Sequence, residues 1–222
     1  MPATARAVCM TSGVAFCLAA AATWFGWTDA IDTAVHDFAL GQRSPWFSPP
    51  MRAVSAVFAP LAASLLTAVI ALCVAARTRR WRRPLLFAAG VLAAALAFRL
   101  VKELLRHPRP DTQGWLEYAG GWSFPSGHTT IATTVCLGIV AVFGTSWPKT
   151  WRRAAWVLAA VVAAAVGIGR IYLGVHWFGD VVGGACLGIA ASAVMGGVAV
   201  TAANRDDRAG AGTGSEAEAA EG

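Results

Sequence analysis

His176 and Asp180 stand four residues apart in GRIYLGVHWFGDVVGG (169–184), between the apolar runs 154–168 and 181–200. On a helix that spacing puts an imidazole and a carboxylate on one face, within reach of each other. A carboxylate bonded to one ring nitrogen fixes the tautomer and leaves the other nitrogen free to act as a nucleophile. The same pair also fits a helix-capping contact at an interface. Two further stretches carry matching chemistry. In WSFPSGHTT (122–130), Ser126 is a candidate N-cap before an apolar run, and Gly127 leaves backbone N–H groups open to an anion. His128 is placed there to protonate a leaving group, although Pro-Ser-Gly-His alone also reads as a plain turn and cap. In KELLRHPRP (102–110), Lys102 and Arg109 are long cations, and Arg170 is a third. A phosphate monoester carries close to two negative charges, and its oxygens need donors as charge spreads over them in phosphoryl transfer. Three cations match that demand. Juxtamembrane cations also snorkel or touch headgroups, which is the reading given to Arg99 and Arg106. His107, flanked by Arg106 and Pro108, reads as structural, and His36 has no evident partner.

The elements that must position these residues are apolar helices. Stretches long enough for a bilayer core, about 20 residues, occur at about 7–27, 54–76, 84–101, 128–146, 154–171 and 178–200. With 57% hydrophobic and only 14% charged residues, against roughly a quarter charged in soluble domains, the chain reads as an all-α polytopic membrane protein. Its expected architecture is a bundle of six transmembrane helices. The first apolar run continues through TWFGW without a small-residue cleavage site, so it is read as a retained helix and not a signal peptide. Basic residues collect in RTRRWRR (77–83), at Lys149, Arg152 and Arg153, after the last span at Arg205 and Arg208, and at Arg6. Six alternating spans put all of these on one side, which the positive-inside rule makes cytoplasmic together with both termini. Lys102, Arg109, His128, Arg170, His176 and Asp180 then gather at the outer face, although they are scattered along the chain. Ionisable groups at membrane depth are costly and are functional candidates by default.

Residues 28–40 place Ile31, Val35 and Phe38 at helical spacing, as an amphipathic helix in the interface would; an ordered loop packed on the bundle fits as well. Residues 1–201 form one expected domain. The segment 202–222 is small, acidic and without apolar periodicity, and is expected to be a disordered cytoplasmic tail.

The net charge of +6 would point to nucleic acid in a soluble protein, but here the basic residues sit between apolar segments and no nucleic-acid partner is expected. Glu103, Asp111 and Glu117 are the other outer acidic residues near the site, without the carboxylate spacing of Mg²⁺ or two-metal centres, so no metal or cofactor is expected. The five cysteines each fall inside an apolar run without a C-x-x-C pattern and read as buried free thiols.

Taken together, Lys-x6-Arg-Pro (Lys102 to Pro110), Pro-Ser-Gly-His (Pro125 to His128) and Arg-x5-His-x3-Asp (Arg170 to Asp180) resemble the three-part signature of the type 2 phosphatidic acid phosphatase (PAP2) superfamily. The resemblance covers about residues 7–200. It implies a PAP2/haloperoxidase-like helical core and a metal-independent lipid phosphatase working through a phosphohistidine. In that pattern His176 is the nucleophile, Asp180 orients it, and His128 protonates the leaving oxygen. Lys102, Arg109 and Arg170 hold phosphate oxygens with Ser126 and the Gly127 backbone. The substrates implied are lipid phosphates in the bilayer: undecaprenyl pyrophosphate, phosphatidic acid, phosphatidylglycerol phosphate or diacylglycerol pyrophosphate. One departure is Gly169, where the family pattern usually has Ser before the Arg. A non-catalytic family member or a lipid transporter is the alternative. A decayed enzyme should have lost one of His128, His176 or Asp180, and a transporter would more often place its ionisable residues near the midplane. The soluble haloperoxidases share such a phosphate site, but six apolar spans argue against them.

Overall fold

The computed structural model describes residues 1–220, with side chains through Asn204. Its α-helices are α1 (Ala3–Trp24), α2 (Asp29–Gly41), α3 (Ser48–Val57), α4 (Pro60–Thr78), α5 (Arg82–Leu105), α6 (Gly127–Phe143), α7 (Lys149–Tyr172) and α8 (Phe178–Ala220). Among the described residues six segments are long and apolar enough to cross a membrane: α1, α4, α5, α6 continued to Ser146, α7, and α8 as far as Asn204. The expectation of a disordered 202–222 tail falls mainly on residues beyond the described side chains, where the backbone is assigned to α8 as far as Ala220.

The second span differs from the expected 54–76. Residues 54–57 belong to the separate helix α3, and α4 begins only at Pro60. The cause is local. The ring of Pro60 forces Ala59 out of the helical region, to φ −55° and ψ 129°, while Pro60 itself suits the first helical position, where no N–H is needed. This break frees α3 to pack against α7 instead of continuing into the bilayer.

The most enclosed span is α6, with 56% of its apolar window buried against 11% for α1. It is surrounded by α8, α7, α5 and α4, and α1 packs along the outside of α8. Polar residues line this interior: Thr129, Thr130, Thr133 and Thr134 on α6 and Ser192 on α8 are all buried. Several return their hydroxyl hydrogens to their own helix, as Thr134 Oγ1 does to the carbonyl of Thr130 at 2.7 Å and Ser192 Oγ to that of Gly188 at 2.8 Å. Large apolar side chains such as Leu65, Leu92, Leu96 and Leu100 point outward, as lipid permits, because between lipid-facing helices it is close packing and not apolar burial that drives association. The close approach of α8 to α6 depends on Gly184, where an added Cβ would lie 2.7 Å from the carbonyl oxygen of Ser126. A second close core forms around Met195, Phe87, Val91 and Phe98.

Helix α2 is present as a helix and faces opposite to a soluble one. Asp32 and His36 are buried against the bundle, whereas Ile31 and Phe38 are exposed. All five cysteines are free and none is fully buried: Cys9, Cys136 and Cys186 are half-buried, and Cys17 and Cys73 sit on exposed helix faces, which corrects the expectation of buried thiols. The latter two lie on lipid-facing surface, where a small apolar thiol carries little desolvation cost.

Candidate active site

The segment between α7 and α8 and the loop 106–126 between α5 and α6 meet at one end of the bundle. Backbone bonds tie the loop to that segment and to α8, Leu116 N–H to Leu173 O at 2.9 Å and Ser126 N–H to Asp180 O at 2.9 Å, and Ser123 N–H to His107 O at 2.8 Å closes the loop on itself. All eight residues singled out in the sequence lie in this layer, on the ends of α5, α6, α7 and α8 or in the segments joining them.

His176 is buried, and its Nδ1 lies 3.1 Å from Asp180 Oδ2. The same carboxylate oxygen accepts from Trp177 N–H at 2.8 Å and, through a short contact, from Ser123 Oγ. A carboxylate is an acceptor only, so the proton of this pair resides on Nδ1 and Nε2 keeps its lone pair. Burial pushes the imidazole well below its ordinary 6.5, with the hydrogen bond to Asp180 pulling the other way. The ring is therefore neutral at neutral pH, with Nε2 turned to the nearest guanidinium. That group is Arg109 Nη1, at 3.1 Å.

Arg109 is committed in several directions at once. Its Nη1 also donates to Val175 O at 2.6 Å, Nε to Gly121 O at 2.9 Å and Nη2 to Gly120 O at 3.0 Å. Burial lowers the guanidinium to about 10, opposed by Asp180, and it stays cationic at neutral pH. Lys102 Nζ donates to the carbonyls of Trp122 at 2.5 Å and Ser123 at 2.7 Å, which leaves one of its three donors open toward the site. These two cations thus hold the backbone of the 120–123 loop, and Arg109 also meets His176 Nε2.

Arg170, almost fully buried on the last turn of α7, makes short contacts through Nη1 with Ser55 Oγ and Glu117 Oε1. Ser55 Oγ in turn donates to Glu117 Oε1 at 3.0 Å. Arg170 Nε, by contrast, is buried with no hydrogen-bond partner among the described residues. A buried unpaired guanidinium N–H costs about 1–3 kcal/mol or more, and a ligand oxygen would relieve it.

Ser126 caps α6. Its Oγ accepts from Thr129 N–H at 3.4 Å and from Thr129 Oγ1 at 3.0 Å, and its own hydroxyl hydrogen remains available. Gly127 and His128 follow as the first helical residues, with backbone N–H groups that have no intrahelical acceptor. An added Cβ on Gly127 would sit 2.9 Å from the Phe98 ring, so the turn packs directly on α5. The His128 side chain is half-buried, and its charge environment is set by Arg170, Arg109 and Lys102 together. Gly169 lies on α7, with Met51 Sδ 3.5 Å from where a Cβ would stand, so a serine would fit there.

The sequence reading missed several participants. Ser123, three residues before Ser126, donates to Asp180. Glu117 and Ser55 hold Arg170. Asp32 of α2 accepts from Gly179 N–H at 2.7 Å and so caps the start of α8 beside the dyad. His107, read as merely structural, has Nδ1 3.7 Å from Asp180 Oδ1. His36, read as partnerless, packs on the Trp177 ring with centroids 5.2 Å apart. The nearness of His107 to Arg109 and of Ser123 to Ser126 was a usable signal. Nothing in the spacing of Asp32, Ser55 or Glu117 was. Among the described residues, no three His, Cys, Asp or Glu side chains are grouped to hold a metal ion.

The model of the PAP2 superfamily matches residues 83–202, more than half of the chain and the part that contains all three motifs. The chain belongs to the PAP2 superfamily. Phosphatidylglycerophosphatase B of Bacillus subtilis (strain 168) is 30% identical over 176 residues, 78% of this chain and 86% of that one. The putative undecaprenyl-diphosphatase YbjG of Escherichia coli (strain K12) is 33% identical over 107 residues, 44% of this chain and 50% of its own length. The crystal structure of a transmembrane PAP2 type phosphatidylglycerolphosphate phosphatase from Bacillus subtilis superposes with a TM-score of 0.79 at 28% identity, covering 86% of this chain and 94% of that one. The all-helical, six-span architecture is therefore the PAP2 architecture.

Proposed function

We propose that this PAP2-type phosphatase hydrolyses a phosphate or pyrophosphate monoester of a membrane lipid through a phosphohistidine, at the outer face of the cell membrane and without a metal ion. The observation that carries the reading is the state of His176, whose Nδ1 is bound to a buried carboxylate while its Nε2 lone pair faces a guanidinium. In the first step Nε2 bonds to phosphorus, the bond from phosphorus to the lipid oxygen breaks, and His128 gives that oxygen a proton. The positive charge that appears on His176 is stabilised by Asp180. Lys102, Arg109, Arg170, the Ser126 hydroxyl and the Gly127 N–H hold the non-bridging oxygens, and the unpaired Nε of Arg170 supplies one open donor. In the second step water attacks the phosphohistidine with His128 as base, which releases inorganic phosphate and restores His176.

The relatives named for phosphatidylglycerophosphate and undecaprenyl diphosphate support a lipid phosphate as the substrate class, to which phosphatidic acid and diacylglycerol pyrophosphate belong as well. Its chains stay in the bilayer while its phosphate enters at the interface. Six spans and the arginines of 77–83 support cytoplasmic termini and an extracytoplasmic site. Residues 1–201 constitute the phosphatase domain, with 202–222 as a tail outside it.

The test is phosphate release by purified, detergent-solubilised protein in EDTA, across a panel of these four lipid phosphates, beside His176→Ala. Release from at least one lipid that the variant abolishes is expected. Equal release by His176→Ala, or release that EDTA removes, would overturn the mechanism.

A further inference from the structure

The two oxygens of Asp180 are treated very unequally. Oδ2 takes three donors, from His176, Trp177 and Ser123. Oδ1 is buried and takes none among the described residues. Facing it at 3.7 Å is Nδ1 of His107, itself buried without a partner. Buried polar atoms are nearly always hydrogen-bonded, and two unpaired ones facing each other need an explanation.

His107 is also fastened on both sides. Its carbonyl accepts from Ser123 N–H at 2.8 Å, and the carbonyl of the next residue, Pro108, accepts from Trp177 Nε1 at 3.0 Å. Ser123 and Trp177 are the very residues that donate to Asp180 Oδ2. The backbone around His107 is thereby locked to both flanks of the carboxylate, and only a small ring rotation separates 3.7 Å from a charge-assisted bond of about 2.8 Å.

We propose that His107 is a positioning residue, donating from Nδ1 to Asp180 Oδ1 so that the carboxylate is held between two imidazoles and cannot rotate away from His176. The inference rests on the reading of Asp180 as the group that orients the nucleophile. With Oδ1 bound, the carboxylate plane is fixed and Oδ2 stays on His176 Nδ1. Without it, Oδ1 can turn toward the donors at Ser123 and Trp177 and loosen the nucleophile. Lys102, Arg109 and Arg170 are untouched by this change, so phosphate binding should persist.

The test compares His107→Phe, which fills the space without a donor, His107→Asn, whose amide N–H falls where Nδ1 stands, and His107→Gln, whose amide reaches the Nε2 position. Thermal midpoint and elution in detergent are monitored for each, and kcat and KM are measured on the best lipid phosphate. His107→Phe and His107→Gln are expected to lower kcat about tenfold with KM little changed, as loss of one hydrogen bond to a charged group predicts, and His107→Asn to recover most of it. Wild-type kcat in His107→Phe and His107→Gln overturns the proposal while His176→Ala, still inactive, leaves the phosphatase reading standing. Equal impairment of all three variants, or a change confined to KM, also overturns it. A wild-type protein inactive on every lipid phosphate removes the reading beneath it and the proposal together.

Discussion

At the scale of single residues, Glu117 sets a carboxylate against Arg170, a cation that is proposed to hold a phosphate oxygen. Glu117→Gln keeps an acceptor for Arg170 and Ser55 but removes the charge. Inorganic phosphate should then inhibit at roughly fivefold lower concentration, the effect of about 1 kcal/mol of relieved repulsion at the effective dielectric of such sites. An unchanged inhibition constant would mean that Glu117 only orients the guanidinium. The acid limb of kcat/KM follows from His176. Burial lowers its pKa well below 6.5, and its neutral form is the proposed nucleophile, so the activity it supplies is present above that lowered value and is lost as pH falls through it. No acid-side loss of kcat/KM is expected as pH is lowered from 7.5 past 6.5, and a fall with its half-maximum at 6.5 would contradict the burial argument. Residues whose chemistry is intrinsic to their type and spacing were legible in the sequence, His176 and Asp180 above all. Glu117, Ser55 and Asp32 were not, because each acts on a partner more than fifty positions away and an isolated Glu, Ser or Asp carries no period or spacing that points there.

At the scale of elements, the apolar runs announced the spans, since lipid demands a continuous apolar length whatever the tertiary contacts. What they could not announce was the break at Pro60, where hydropathy runs on but backbone sterics stop the helix. The separation of α3 has a functional side, because it is the element that delivers Ser55 to Arg170. Amphipathic spacing likewise located α2 correctly and says nothing by itself of which face meets protein. The capping of Gly179 by Asp32 turns the polar face inward. A prediction belongs to the contact of α8 with α6. At Gly184 the atom an added methyl would strike is a backbone oxygen, that of Ser126, which cannot swing aside as a side chain can. Gly184→Ala should displace the Pro-Ser-Gly-His turn and reduce kcat more than it reduces the thermal midpoint, whereas Gly169→Ser, with only Met51 Sδ at ordinary distance, should retain both.

At the scale of the whole molecule, the proposed orientation can be read by chemical labelling. The native cysteines all lie inside spans, so a membrane-impermeant maleimide should react with intact cells only where a new thiol is introduced. Tyr118→Cys, on the site loop and 88% exposed in the parent chain, should label from outside, and Arg80→Cys, on the exposed loop between α4 and α5, only after lysis. The reverse pattern would invert the topology. The packing of α1 along α8 reaches as far as Met1, whose side chain lies against Gly197. In biogenesis this means that α1 leaves the ribosome well before α8, the helix it packs against. Until α8 is inserted, α1 must wait in the bilayer with its contact face bare, and His176 and Asp180 have not yet met the α6 turn. Closure of the bundle and assembly of the proposed catalytic centre are then one late event, so chains halted before residue 178 should populate the membrane as an open, inactive and protease-sensitive intermediate.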